Sequence, residues 1–153
     1  MEPINWRRVI PGGLLCGLVI NAFEVVLNGV VLQKDWAAAM HDLGRSEQFG
    51  PGQVAAFLVW GFLLGLVAIW FYAVVRDHYG AGPRTAVLAG LAVWLPGYLL
   101  ASTPSLIMYL FPPRLVLIGL AVGLVEVVAG TLAGAWLYRT GTPPGSSAAA
   151  ARL

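Results

Sequence analysis

The chain has 153 residues, of which 59% are hydrophobic and only 10% charged, with a mean hydropathy of +0.80 and a formal net charge of +2. That length allows one domain, and so few polar side chains exclude a water-soluble core wrapped in a polar coat. A charge of +2 leaves no electrostatic footprint for nucleic acid, and a single cysteine, Cys16, excludes an intrachain disulfide or a paired-thiol metal site.

Four apolar segments follow one another, at residues 9–32, 54–75, 85–110 and 115–138. Each is near or above the roughly 20 residues that cross a bilayer core as a helix. The fold class expected is therefore all-α, a bundle of four transmembrane helices forming one domain over residues 1–138. Arg7 and Arg8 ahead of the first segment resemble the start of a signal peptide, but the apolar run is about twice the length of a signal core. It is expected to stay as a helix. Leu14-Leu15-Cys16 lacks the small residue that precedes a lipid-modified cysteine, so Cys16 reads as a buried small hydrophobe.

Between the first two segments lies the longest loop, residues 33–53. Trp36, Met40 and Leu43 fall at i, i+4 and i+7 with Gly44 as a stop signal, which predicts a short amphipathic helix lying in the membrane interface. His41 on its side is expected to be an ordinary surface residue. The other histidine, His78, belongs to the opposite membrane face, so no metal or haem site is expected.

The second segment carries nothing more polar than Tyr72. In the third, Pro96 and Pro104 each remove a backbone donor and crowd the preceding turn, predicting a helix kinked or broken near Leu95 and Thr103. Ser102, Thr103 and Ser105 are placed either to complete a polar pocket or to cap a broken helix end. Pro112 and Pro113 make a tight reversal, and Arg114 opens the fourth helix. Residues 139–153 form a Pro-, Gly-, Ser- and Ala-rich tail that reads as disordered.

Basic residues set orientation. Arg7, Arg8, Arg76, Arg84, Arg139 and Arg152 lie on the side of the termini, against Lys34, Arg45 and Arg114 on the other. Both termini are therefore expected in the cytoplasm of a bacterial cell, with the chain in its inner membrane. The bilayer is the expected partner, together with further copies of the chain or a larger membrane complex.

Polar residues inside the spans carry the functional question. At 100° per residue, Gly13, Gly17, Asn21, Glu24 and Asn28 share an arc of about 80° on the first helix, and Gly119, Gly123, Glu126, Gly130 and Gly134 share a similar stripe on the fourth. Such stripes let helices approach closely where lipid provides no hydrophobic drive, so both are expected to be packing faces. GLVINAFEVV at 17–26 and GLAVGLVEVV at 119–128 agree at five of ten positions, both glutamates included. Two antiparallel helices related in this way form the midplane site of some transporters. At about 1.5 Å per residue the two acids differ by roughly 5 Å in depth, so they are able to meet.

A charge at the bilayer centre costs roughly 3 kcal/mol or more, and no cation is expected in the membrane to neutralise these acids. At least one of them is expected to be protonated, to face water or to hold a cation. Two adjacent carboxyls do not ionise independently, which is the chemistry of a proton carrier. Equally physical is a structural role, each neutral carboxyl donating a hydrogen bond to Asn21, Asn28, Thr131 or a freed carbonyl near Pro96 or Pro104. The candidate buried polar site is thus Asn21, Glu24, Asn28 and Glu126. The leading expectation is a non-enzymatic helix-packing scaffold or accessory subunit. The alternative is a proton- or cation-coupled small-solute transporter using Glu24 and Glu126. The chain has no phosphate loop, zinc spacing or nucleophile signature. Catalytic residues and cofactors are therefore not expected.

INWRRV before the first helix, QKDWAAAM after it and GLAVWL opening the third resemble an uncharacterised bacterial four-helix integral membrane family. In that family a Lys-x-Trp follows the first span, matched by Lys34 and Trp36, and a Trp-Tyr-Ser-Pro step stands late in that span. Here Val26, Leu27, Asn28 and Gly29 replace the step. The resemblance implies an architecture and no activity. Glu24 also resembles the first-helix glutamate of the small multidrug resistance transporters, but Glu126, the long loop and the irregular third helix depart from them.

Overall fold

A computed structural model describes residues 4–140, the side chains of Arg139 and Thr140 excepted. The described chain is all-α. Helix α1 (Trp6–Val26) passes into a π-helical segment at Leu27–Val31, and α2 (Gln33–Asp42) follows. Then come α3 (Pro51–Tyr79), α4 (Pro83–Trp94), a second π-segment at Leu95–Leu100, α5 (Ala101–Ile107) and α6 (Pro113–Thr140). Counting each π-segment with its neighbours, four helical spans are long and apolar enough to cross a membrane: Trp6–Val31, Pro51–Tyr79, Pro83–Ile107 and Pro113–Tyr138. This is a membrane protein by the length and composition of its helices.

Spans two, three and four each start on a proline, whose missing N–H is no loss in a first turn. Ahead of Pro51, the Gln53 side chain accepts a hydrogen bond from Gly50 N–H at 2.8 Å, half of a capping box. The last helix runs through Thr140, past the end expected at 138. The remainder of the expected tail lies outside the described residues.

Pro96 does not break the third span. The helix widens instead, from Leu95 to Leu100, accommodating the proline ring and its missing donor without losing continuity. Near Pro104 the α-helix continues to Ile107 and ends through Tyr109, a non-glycine residue with φ 52°. Thr103 Oγ1 donates to Leu99 O at 2.8 Å, so its hydroxyl serves the helix rather than a pocket.

The first span packs between the second and the fourth, and the third packs against the second and fourth. The core combines small and mid-sized side chains, among them Val9, Cys16, Ile20, Ala68, Ile69, Ala89 and Val127, with the buried rings of Tyr72 and Tyr138. Outward faces are apolar as well. Phe57 is 62% exposed and Trp60 56% exposed, a surface suited to lipid and not to water.

Glycines let these helices touch. A Cβ added at Gly65 would sit 2.5 Å from Gly13 O, and one added at Gly17 would sit 2.7 Å from Phe62 Cα. Gly13 and Gly17 therefore pack on α3. The fourth span meets α1 elsewhere: a Cβ at Gly12 would lie 2.8 Å from Gly134 O, and one at Gly130 would lie 2.9 Å from Cys16 O. Gly123 receives the ring of Tyr98, whereas Gly119 has no neighbour within 4 Å of its Cβ position. The first stripe thus serves the second span, and only the lower half of the fourth-span stripe serves the first.

Helix α2 forms where the spacing and Gly44 (φ 66°) predict it, but docks by another stripe. Leu32, Trp36 and Ala39 turn inward onto Leu115, Phe111 and Ile118 of the fourth-span end. Leu43 is 42% exposed. Trp36 belongs to both the expected and the observed stripe, while packing on the fourth-span end turns Ala39 inward and leaves Leu43 outward.

Candidate functional site: a buried pair of carboxyl groups

Glu24 and Glu126 meet. Their carboxyl groups lie close enough to interact, although they come from opposite ends of the chain. Glu126 is fully buried, and Glu24 is partly so. Each acid has one neutral donor. Asn28 Nδ2 donates to Glu24 Oε2, and Tyr98 Oη donates to Glu126 Oε1 at 2.5 Å. Asn28 in turn accepts from Trp36 Nε1 at 2.7 Å. A polar chain therefore runs Trp36, Asn28, Glu24, Glu126, Tyr98, from α2 at one end of the bundle to the middle of the third span.

Both donors stand on π-helical segments, Asn28 on Leu27–Val31 and Tyr98 on Leu95–Leu100. A π-turn adds a residue and rotates everything beyond it, and such segments recur at functional sites. The Tyr98 ring reaches Glu126 across Gly123, where an added Cβ would lie 2.5 Å from Tyr98 Cδ1. Pro96 supplies the irregular helix, and Gly123 the seat for the ring.

Glu126 Oε2 is buried with no partner among the described donors. No Lys, Arg or His belongs to the polar chain. If both acids were ionised, two anions would face each other without a counter-charge. A single proton shared between them would supply the missing donor and leave one negative charge over two carboxyls, met by Asn28 and Tyr98.

Of the sequence-predicted residues, Glu24, Asn28 and Glu126 come together. Asn21 does not join them. It is buried on the neighbouring helix contact, where Nδ2 donates to Leu58 O at 3.1 Å and the amide fills the space Gly61 leaves. Thr131 is also apart, its Oγ1 donating to Val127 O at 2.6 Å, with Cys16 Sγ 4.0 Å away. Tyr98 went unrecognised because its orientation depends on a helix register that no hydrophobic period encodes. Pro96, two residues before it, marked the place without giving the direction. Trp36 was legible as the anchor of α2 but not as a donor to Asn28.

No family model, no curated protein and no solved structure matches this chain.

Toward the termini the first and fourth spans pack closely. Gly12 and Gly134 touch through their backbones with the Ile69 side chain against both. Toward α2 the path is polar, and it stops at the Trp36 indole, which meets Phe111 edge-on at 5.3 Å between ring centroids. Among the described residues no group of three or more His, Cys, Asp and Glu side chains is placed to hold a metal ion.

Proposed function

We propose that this protein is a proton-coupled carrier of the bacterial inner membrane, with Glu24 and Glu126 as its proton-binding centre. The single observation that carries the reading is the neighbouring pair of carboxyls, one fully buried and one partly so, which has no cationic partner and one oxygen without a donor. A pair that needs one proton to complete its hydrogen bonds is a binding site for that proton. The chain is a multi-pass protein in this reading, with both termini in the cytoplasm by the excess of arginine on their side. Proton exchange then takes place with the outer side, past the Asn28 amide and the Trp36 indole, which hold the pair by hydrogen bonds and carry no proton themselves, while the Gly12, Ile69 and Gly134 contact seals the inner side.

The test is proton flux. Purified protein in liposomes loaded with a pH-sensitive dye is given an external pH step, and Glu24→Gln and Glu126→Gln are compared with it. Wild-type vesicles are expected to equilibrate several-fold faster than empty ones, with both variants near the empty rate. Equal rates for wild-type and empty vesicles, both in plain buffer and with small solutes supplied outside, overturn the proposal.

A second reading, a packing scaffold or accessory subunit in a homo-oligomer or larger complex, draws on the glycine-mediated backbone contacts of Gly12, Gly13, Gly17, Gly65 and Gly134. Under it the Gln variants retain the fold and any copurifying membrane partner, and flux is absent throughout.

A further inference from the structure

A groove of about 700 Å³ opens at the α2 end of the bundle. That volume lies within the roughly 300–1,000 Å³ of small-molecule sites. Its apolar wall comes from Met40, Leu43, Phe49 and Phe111, and its polar side includes Arg45 and Gln53. No carboxylate lines it. The acid nearest to Arg45 in the chain, Glu47, is turned to His41, with Oε1 3.2 Å from Nδ1. Gln53 spends its amide oxygen on Gly50 N–H, so the NH₂ end is the part available to a ligand. A guanidinium, an amide donor and an aromatic and thioether wall select one chemical class: an organic anion with an apolar body.

The groove shares a wall with the latch of the acid pair. Phe111 lines the groove and also packs edge-on against Trp36. Trp36 donates to Asn28, and Asn28 donates to Glu24. A body that displaces Phe111 therefore bears on the indole that closes the polar chain.

We infer that this groove binds an amphipathic organic monoanion, and that its occupancy is coupled to proton binding at Glu24 and Glu126 through Phe111, Trp36 and Asn28. The inference rests on the proton-carrier reading and names the solute class for it. Trp36 is a positioning residue in this scheme: it touches neither the anion's carboxylate nor the proton, but ties one site to the other.

The test uses the full chain in phosphatidylcholine nanodiscs with benzoate as probe and benzyl alcohol as its neutral control, both by equilibrium dialysis. Benzoate is expected to bind saturably, Arg45→Gln to weaken it at least tenfold, and Arg45→Lys to keep most of it. Benzyl alcohol is expected to bind both Arg45 forms equally. In weakly buffered medium, benzoate should also draw protons onto the wild type, read with a pH dye. Trp36→Phe keeps the aromatic contact but lacks the N–H, so it should bind benzoate and lose most of that uptake. Glu24→Gln should bind benzoate with no uptake. Unsaturable binding, or equal binding by wild type and Arg45→Gln, overturns the groove as an anion site whatever the vesicle flux shows. Uptake unchanged in Glu24→Gln overturns the coupling. Benzoate binding that follows the Arg45 series in a protein whose vesicles leak no faster than empty ones upholds the anion site and removes the carrier reading alone.

Discussion

Tyr98 and Glu126 share a 2.5 Å hydrogen bond in the middle of the bundle, between a phenol presented by a π-helical turn and a carboxyl with no exposed surface. This bond decides which face the third span offers to the fourth. Tyr98→Phe removes the donor and leaves Glu126 Oε1 buried without one. The loss is expected to be about 1–3 kcal/mol of stability, the usual penalty for an orphaned buried acceptor. Thermal unfolding in detergent, followed by tryptophan fluorescence, measures it. The double variant Tyr98→Phe with Glu126→Leu is expected to recover part of that loss, because both polar ends are then gone.

Asn28 gives a prediction with a definite order. Asn28→Leu loses the donor to Glu24, while Asn28→Asp keeps the shape but sets an acceptor against the Glu24 carboxyl. The aspartate variant is expected to be the less stable of the two near neutral pH, since it adds a third acid to a cluster with no cation. Their unfolding midpoints in the same detergent give the order, and an aspartate variant as stable as the wild type would contradict the donor role assigned to Asn28.

Gly61 and Asn21 offer a coupling test. A methyl added at Gly61 would stand 2.8 Å from Asn21 Cγ and 2.9 Å from Nδ2. Gly61→Ala is therefore expected to destabilise, and Asn21→Ala to relieve much of the clash. The double-mutant cycle should give a coupling of about 0.5–3 kcal/mol in the rescuing direction. Additive losses would mean that the two residues do not share that space.

Glycines in the two stripes should separate sharply. Gly65→Val drives a branched side chain into the α1 backbone at Gly13 and Gly17, where nothing flexible can yield. Overpacking of this kind costs about 1–3 kcal/mol, and more where both neighbours are backbone. Gly119→Val meets open space and is expected to be neutral or slightly stabilising, since it removes a glycine from a helix. Yield of monodisperse protein and unfolding midpoint distinguish them.

The four spans, the helix after the first span with its stop at Gly44, and the two acids in apolar surroundings are legible in the chain without its fold. These are local properties. Run length, proline and glycine positions and the 3.6-residue period are written along the chain and need no partner to be read. The repeated Gly-Leu motif around Glu24 and Glu126 also pointed to the one pair of matched positions that do meet. Its other positions diverge, for Gly17 packs on Phe62, while Gly119 packs on nothing within 4 Å.

Which surfaces the stripes face, and which donors reach the acids, depends on the assembled bundle. Asn21 shares an arc with Glu24 yet turns to Leu58 on the neighbouring helix. An arc about 80° wide is broad enough to touch two partners, and periodicity does not say which residue takes which. Tyr98 and Trp36 enter the acid network through a π-turn and a docked interhelical contact, both set by packing against α6. A one-residue change of register rotates a side chain by about 100°, so the direction of a donor is a property of the assembled bundle and not of its sequence period.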